Sequence, residues 1–123
     1  MTLRLSPLPK TWIFDVDGTL VIHNGHLRPE GDELLPGVKD FFAKIPNTDT
    51  IILLTARQCT ELPLLEAFLQ REGIRYNAIL GDLPQGERIL VNDTKPSGLT
   101  TAYSINMKRN EKLQINYTID YDL

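Results

Sequence analysis

Two short apolar runs, each ending in polar residues, constrain what this chain can fold into. The first, Trp12–Phe14, leads directly into Asp15-Val16-Asp17-Gly18, and the second, Thr50–Thr55, ends in a hydroxyl. Short apolar runs of this kind are typical of strands buried in a parallel sheet. We therefore expect both polar ends at the rim of such a sheet, where ligands bind beyond the carboxyl ends of the strands.

The rest of the chain predicts helices and strands that alternate. One helix opens at Leu35-Pro36-Gly37 and ends before Pro46, because apolar residues recur there at helical spacing. The further predicted elements are a helix with Leu62, Leu65, Phe68 and Leu69 on its buried face, and strands at Ala78–Leu80, Arg88–Val91 and Thr101–Ile105. This order predicts an α/β fold with a central, mostly parallel, five-stranded sheet and helices on its faces. Residues 111–123 carry no clear pattern.

The length of 123 residues predicts a single domain, residues 1–123. Asn24-Gly25 stands between short apolar segments, which predicts a small hairpin, the flap, over about residues 19–34. Its apolar side chains, Val21, Ile22 and Leu27, either cover an interface with a second copy or fold back onto the core.

Composition narrows the function classes. The net charge is -3 and no basic run occurs, so a nucleic-acid partner is not expected. No apolar run approaches the length of a membrane span, so no membrane partner is expected. The single cysteine, Cys59, suits a reducing compartment, and we expect a cytoplasmic protein.

The residues at the predicted rim suit chemistry on a phosphate ester. Attack on a phosphate dianion needs charge neutralisation, and Mg²⁺ held by carboxylates such as Asp15 and Asp93 would supply it. One carboxylate can attack phosphorus. Asp17, two residues after Asp15, projects to the same side of an extended strand, unless the chain bends there, and can protonate the leaving group.

The phosphate itself needs hydrogen-bond donors and a cation. Thr55 offers a hydroxyl, and the backbone N–H groups of Ala56 and Arg57 open toward the next helix. Lys95 is the first candidate for the cation and the Arg57 side chain the second.

At these positions the chain resembles the haloacid dehalogenase superfamily of phosphohydrolases. The match spans about Ile13 to Pro96 and rests on four segments in order: Asp15-Val16-Asp17-Gly18-Thr19-Leu20, Leu35-Pro36-Gly37-Val38, Leu54-Thr55-Ala56-Arg57 and Val91-Asn92-Asp93. The resemblance implies a Rossmann-like three-layer sandwich, with Asp15 as nucleophile, Asp17 as acid and base, and Thr55 as phosphate ligand. It also implies Mg²⁺ held by Asp15, the backbone carbonyl of Asp17, and Asp93.

Two positions depart from the family's pattern. The usual lysine before the last motif is missing from Gly81–Arg88, so Lys95 is assigned its role, with Arg88 as the alternative. Asn92 stands where a second acid often precedes Asp93, and an amide there can ligate the metal or orient its neighbour.

The chain is too short for the cap domain that covers many related active sites. It therefore resembles a capless member, and we expect a homo-oligomer that shelters the site near the flap. The predicted function is a Mg²⁺-dependent phosphatase acting through an aspartyl-phosphate on a small-molecule phosphate ester such as a sugar phosphate. The alternatives are an inactive module that binds a partner, and a polynucleotide phosphatase.

Overall fold

Three parallel strands form the main sheet in the structure, a computed structural model that describes residues 1–123. They are β2 (Thr11–Asp15), β3 (Thr50–Leu54) and β4 (Ala78–Leu80), in the order β2-β3-β4. Asp15 lies opposite Leu54 in the register, and Leu54 lies opposite Leu80. The first three predicted strands are confirmed, and the site-bearing ends of β2 and β3 are adjacent.

A second, separate sheet joins the two ends of the chain. It consists of β1 (Thr2–Leu5) and β5 (Asn116–Ile119), which pair in parallel. Tyr117 of β5 packs against Trp12, with ring centroids 5.6 Å apart, and against Phe41. Aromatic contacts therefore connect the small sheet to the main one.

Two helices cover the core, α1 (Val38–Ala43) and α2 (Leu62–Arg71). Val38 and Phe42 of α1 are buried, and the Phe42 ring lies 4.7 Å from that of Phe14 in β2. The buried face of α2 consists of Leu65, Phe68 and Leu69. The helical spacing in the sequence predicted both apolar faces, although α1 begins only after Gly37. Neither helix has the length and apolarity needed to cross a membrane.

The prediction of a five-stranded, Rossmann-like sandwich is wrong. The structure has two small parallel sheets, and the runs Arg88–Val91 and Thr101–Ile105 are not strands. Ile89 and Val91 are 84% and 90% exposed, and no backbone hydrogen bond joins their run to another strand. β-propensity is expressed only where side chains find a surface to pack on. The run Arg88–Val91 finds none, and β1 pairs instead with the C-terminal segment.

The flap, residues 19–34, is closed by an isolated antiparallel bridge between Val21 and Leu34. The turn predicted at Asn24-Gly25 leads into a short 3₁₀ helix at Gly25–Leu27 rather than a strand pair. Val21 is fully buried in the chain's own core, whereas Leu27 is 71% exposed. Most of the apolar surface of the flap is therefore buried within one copy of the chain.

Gly37 allows the C-terminal segment to pass close to the start of α1. Its φ is +84°, and a Cβ placed there would lie 2.5 Å from the backbone oxygen of Leu113. Leu113 is buried and donates its N–H to the carbonyl of Pro36 at 2.9 Å. A side chain at position 37 would push this segment away.

We predict that Gly37→Ala lowers the free energy of unfolding more than Gly31→Ala does. Gly31 also has a positive φ, +78°, but a Cβ there meets nothing within 4 Å. Both substitutions incur the cost of a left-handed backbone, about 1–2 kcal/mol. The overlap with Leu113 adds about 1–3 kcal/mol at Gly37 alone. Urea unfolding followed by circular dichroism measures the difference, and equal losses would contradict the close approach.

Candidate active site

Asp15 ends β2 with its carboxylate partly open to solvent. Its side chain is 38% exposed, and its Oδ2 accepts a hydrogen bond from the Thr19 hydroxyl at 3.1 Å. The intervening loop turns tightly, since the N–H groups of Leu20 and Val21 both bond the carbonyl of Val16. Val16, Leu20 and Val21 are fully buried, and their packing holds the loop in place. The position of Asp15, at the start of this loop, is fixed as a result.

Arg88 is the cation that the structure brings to Asp15. Its Nη1 lies 2.7 Å from Asp15 Oδ1, and the two side chains are equally exposed. Arg88 was the alternative to Lys95 in the sequence. Lys95 is exposed and its side chain forms no hydrogen bond or ion pair. An arginine at this distance can bind a phosphate oxygen with two N–H groups in a fixed fork.

Asp17 points into a buried cluster rather than into solvent. Its Oδ1 accepts hydrogen bonds from Nε and Nη2 of Arg57, at 3.0 and 2.8 Å. Its Oδ2 accepts one from the Thr55 hydroxyl at 2.8 Å. Both oxygens of Asp17 are therefore bonded to buried groups, whereas the carboxylate of Asp15, bonded by Thr19 and Arg88, stays more exposed to solvent.

Arg57 lies between two carboxylates and is almost fully buried, with a side chain 3% exposed. On its far side it donates to both oxygens of Asp32, at 2.8 and 2.9 Å. Burial opposes the charge on the guanidinium, but the hydrogen bonds to Asp32 and Asp17 outweigh that effect and raise the pKa of Arg57. Arg57 is thus a fixed cation that organises Asp17, not a free side chain that reaches out to a substrate.

Thr55 is completely buried at the end of β3. Its hydroxyl donates to Asp17 and accepts the backbone N–H of Arg57 at 3.0 Å. In the structure, the Thr55 hydroxyl therefore joins Asp17 to the backbone that follows β3. Ala56, which follows, is exposed, whereas Arg57 after it is buried.

Asn92 and Asp93 lie in an exposed segment without regular structure. The Asn92 side-chain amide donates to the Thr101 hydroxyl at 3.1 Å, and that hydroxyl donates to the carbonyl of Asp93. The carboxylate of Asp93 accepts no hydrogen bond and forms no ion pair. These contacts hold the segment to itself and do not join it to Asp15 or Asp17.

The structure does not gather the residues predicted to hold magnesium around one point. No three His, Cys, Asp or Glu side chains lie close enough together to hold a metal ion. The carboxylate of Asp15 is nevertheless accessible, and the backbone carbonyl of Asp17 accepts no hydrogen bond from the protein. Mg²⁺ prefers oxygen ligands, needs only one or two carboxylates and keeps several waters. The chemistry of these two oxygens suits such an ion, whereas the carboxylate of Asp93 is not held beside them.

The structure adds two groups that the sequence reasoning missed. Asp32 on the flap binds Arg57, and nothing in the sequence distinguishes it from the other polar residues of the predicted hairpin. The backbone N–H of Asn110 donates to the carbonyl of Gly18 at 2.8 Å, and its side-chain oxygen accepts the backbone N–H of His23. The side chain of the neighbouring Arg109 packs against Gly18. The contact spans about ninety residues of chain, which no local pattern reveals.

Cys59 offers no competing nucleophile. Its thiol is exposed, and a hydrogen bond with the carboxylate of Asp82 raises the pKa of the thiol. A raised pKa lowers the fraction of reactive thiolate at neutral pH. Asp15 is therefore the better candidate for attack on a substrate.

Comparison with known proteins finds no match for this chain among protein-family models, curated proteins or solved structures. Function is therefore inferred from the residues at the site and from the sequence motifs they belong to.

We predict that Arg88→Ala weakens the binding of inorganic phosphate and that Lys95→Ala does not. Arg88 contacts the carboxylate beside which the anion would lie, whereas the Lys95 side chain forms no hydrogen bond or ion pair. A charge-assisted hydrogen bond is worth about 1.5–3 kcal/mol, and its partial exposure reduces the expected loss to about tenfold in affinity. Isothermal calorimetry with phosphate measures both variants. A larger loss of affinity in Lys95→Ala would identify Lys95, and not Arg88, as the residue that binds the phosphate.

Proposed function

We propose that this protein is a phosphoric monoester hydrolase that forms an aspartyl-phosphate on Asp15. The observation that supports it best is the accessible carboxylate of Asp15 with the Arg88 guanidinium 2.7 Å from one oxygen. A nucleophile and an anion-binding cation thus share one exposed edge of the sheet. The sequence motif at Asp15–Leu20, with its resemblance to haloacid dehalogenase phosphohydrolases, points to the same chemistry.

The reaction begins when a carboxylate oxygen of Asp15 attacks phosphorus and the bond to the leaving oxygen breaks. Arg88 is exposed enough to turn from Asp15 to the oxygens of the phosphate as the substrate enters. Thr19 holds the other oxygen of Asp15 and so limits its rotation. Water then cleaves the acyl phosphate, which releases phosphate and restores the carboxylate.

Magnesium belongs to the proposal as the ion that Asp15 and the carbonyl of Asp17 would hold. It would neutralise charge on the phosphate as the nucleophile approaches. Arg88 supplies a second positive charge from the chain itself, at a place where the family's pattern has a lysine.

Asp17 serves as the proton donor to the leaving group in this proposal. In the structure, its oxygens accept three hydrogen bonds from Arg57 and Thr55. To deliver a proton, Asp17 first takes one from water as one of these bonds is released, and then passes it to the leaving oxygen, so its role depends on the groups that hold it. General acid catalysis is worth about 10²–10⁴-fold where the leaving group is a strong base.

A small phosphate ester is the substrate class we propose, with a sugar phosphate as one example. The rival function is a module that binds a partner without catalysis, and the isolation of Asp93 from Asp15 favours it. The two differ in whether purified protein releases phosphate from any ester.

We predict that Asp15→Asn abolishes hydrolysis of nitrophenyl phosphate measured in the presence of Mg²⁺. An amide cannot attack phosphorus and is a weaker metal ligand, so turnover falls by several orders of magnitude. Asp122→Asn, on an exposed carboxylate near the C-terminus, is the matched control and keeps full activity. Near-normal turnover by Asp15→Asn would remove the nucleophile. A wild-type protein inactive on this ester and on a panel of phosphorylated metabolites would favour the binding module.

We also propose that two copies associate near the flap and shelter the site. Leu27 is the one large apolar side chain of the flap that is strongly exposed, since Val21 is buried. We predict that wild-type protein elutes with the mass of an oligomer and that Leu27→Ser shifts it toward the monomer. Light scattering during size-exclusion chromatography measures both. A wild-type monomer with full activity would show that the site needs no such shelter.

A further inference from the structure

Asp32 is a buried carboxylate on the flap that the proposed reaction does not use. Its side chain is 7% exposed, and both of its oxygens accept hydrogen bonds from Arg57. Burying a carboxylate is costly unless it is paired and hydrogen-bonded. Asp32 satisfies this condition through one partner, so its place in the structure depends on Arg57.

Arg57 in turn has one guanidinium to divide between two carboxylates. Nε and Nη2 serve Asp17, while Nη1 and Nη2 serve Asp32, which makes four hydrogen bonds in all. The planar guanidinium fixes the directions of these bonds relative to one another. A bond to Asp32 on one edge therefore determines how the other edge meets Asp17.

The flap does not need Asp32 in order to stay closed. Ile22 donates its N–H to the carbonyl of Glu33 at 3.0 Å, and Leu35 donates to Leu20 at 2.9 Å. Val21 is buried beneath the same segment. The backbone hydrogen bonds and the buried Val21 side chain hold the flap. Removal of the Asp32 charge should therefore change mainly the position of the Arg57 side chain.

We infer that Asp32 is a positioning residue for the proton-transfer step. It holds Arg57 from the flap side, and Arg57 holds Asp17 beside Asp15, so that release of one hydrogen bond brings Asp17 to the leaving group. This inference rests on the proposed function and extends it. A third carboxylate, which takes no part in the attack by Asp15, controls the rate of proton transfer from Asp17.

The test uses Asp32→Asn, which removes the charge and keeps the size. We expect its kcat on an alkyl phosphate to fall about tenfold further than its kcat on nitrophenyl phosphate, because only the alkyl leaving group needs a strong push from the acid. KM should change by less than about twofold, since phosphate binding does not involve Asp32. Glu33→Gln is the matched control: that neighbour is exposed, pairs only with Arg28, and should leave both rates unchanged.

A double-mutant cycle separates positioning from a general loss of stability. In an Asp17→Asn background, Asp32→Asn should add no further discrimination between the two esters, because the group that it positions is gone. Asp32→Glu keeps the charge and should restore part of the alkyl phosphate activity. Equal losses on both esters, or an additive effect in the cycle, would overturn the inference.

A measurement without substrate tests the positioning of Arg57 by Asp32 separately from the proposed enzymatic activity. In the wild type, the Nε–H of Arg57 is buried and bonded to Asp17, so its ¹⁵N signal should exchange slowly with water. Faster exchange in Asp32→Asn, with the fold intact by circular dichroism, is the expected result. Unchanged exchange refutes positioning, even in an active enzyme. A wild type inactive on both esters refutes the proposed function and with it any role for Asp32 in proton transfer.

Discussion

The buried guanidinium of Arg57 is the interaction on which the arrangement of the site depends. It links the end of β3, the loop after β2 and the flap through Asp17 and Asp32. Both carboxylates lie in poorly hydrated surroundings, where an unpaired charge would be strongly destabilising. Each of the three segments therefore contributes a group to one shared cluster, and the orientation of Asp17 and Asp32 within it depends on Arg57.

This interaction gives two neighbouring aspartates different environments. Asp15 keeps an accessible carboxylate at the sheet edge, while Asp17 is turned inward by Arg57 and Thr55. The tight turn after Val16 makes the separation possible, because it ends the extended strand between them. Simple alternation along a strand would have placed both side chains on one side. A nucleophile needs access, and a proton donor needs a controlled partner, so the two environments suit two roles.

The C-terminal segment supports the site from behind. Leu113 docks beside Gly37 at the start of α1, and Asn110 bonds the loop at Gly18. Tyr117 then completes the aromatic contacts with Trp12. Residues with no recognisable pattern in sequence thus hold the loop that carries Asp15 and Asp17.

The sequence by itself determined the local elements and the polar residues at their ends. Strands β2, β3 and β4, the apolar faces of both helices and the polar residues after β2 and β3 all follow from short-range patterns. Continuous apolar runs and helical spacing express the burial of nearby side chains, which adjacent residues already specify. The same patterns also predicted Asp15 and Thr55 at adjoining strand ends, as the register shows.

Only the tertiary structure decided which distant groups meet. It left Arg88–Val91 unpaired, joined β1 to β5, brought Arg88 rather than Lys95 to Asp15, and gave Arg57 two buried partners. Strand pairing and ion pairing depend on the whole packed arrangement, because each contact competes with water and with every other partner the fold makes available. A short stretch of sequence does not specify which distant groups will compete for a partner. The partners of Arg57 and Asp15 are therefore known only from the folded structure.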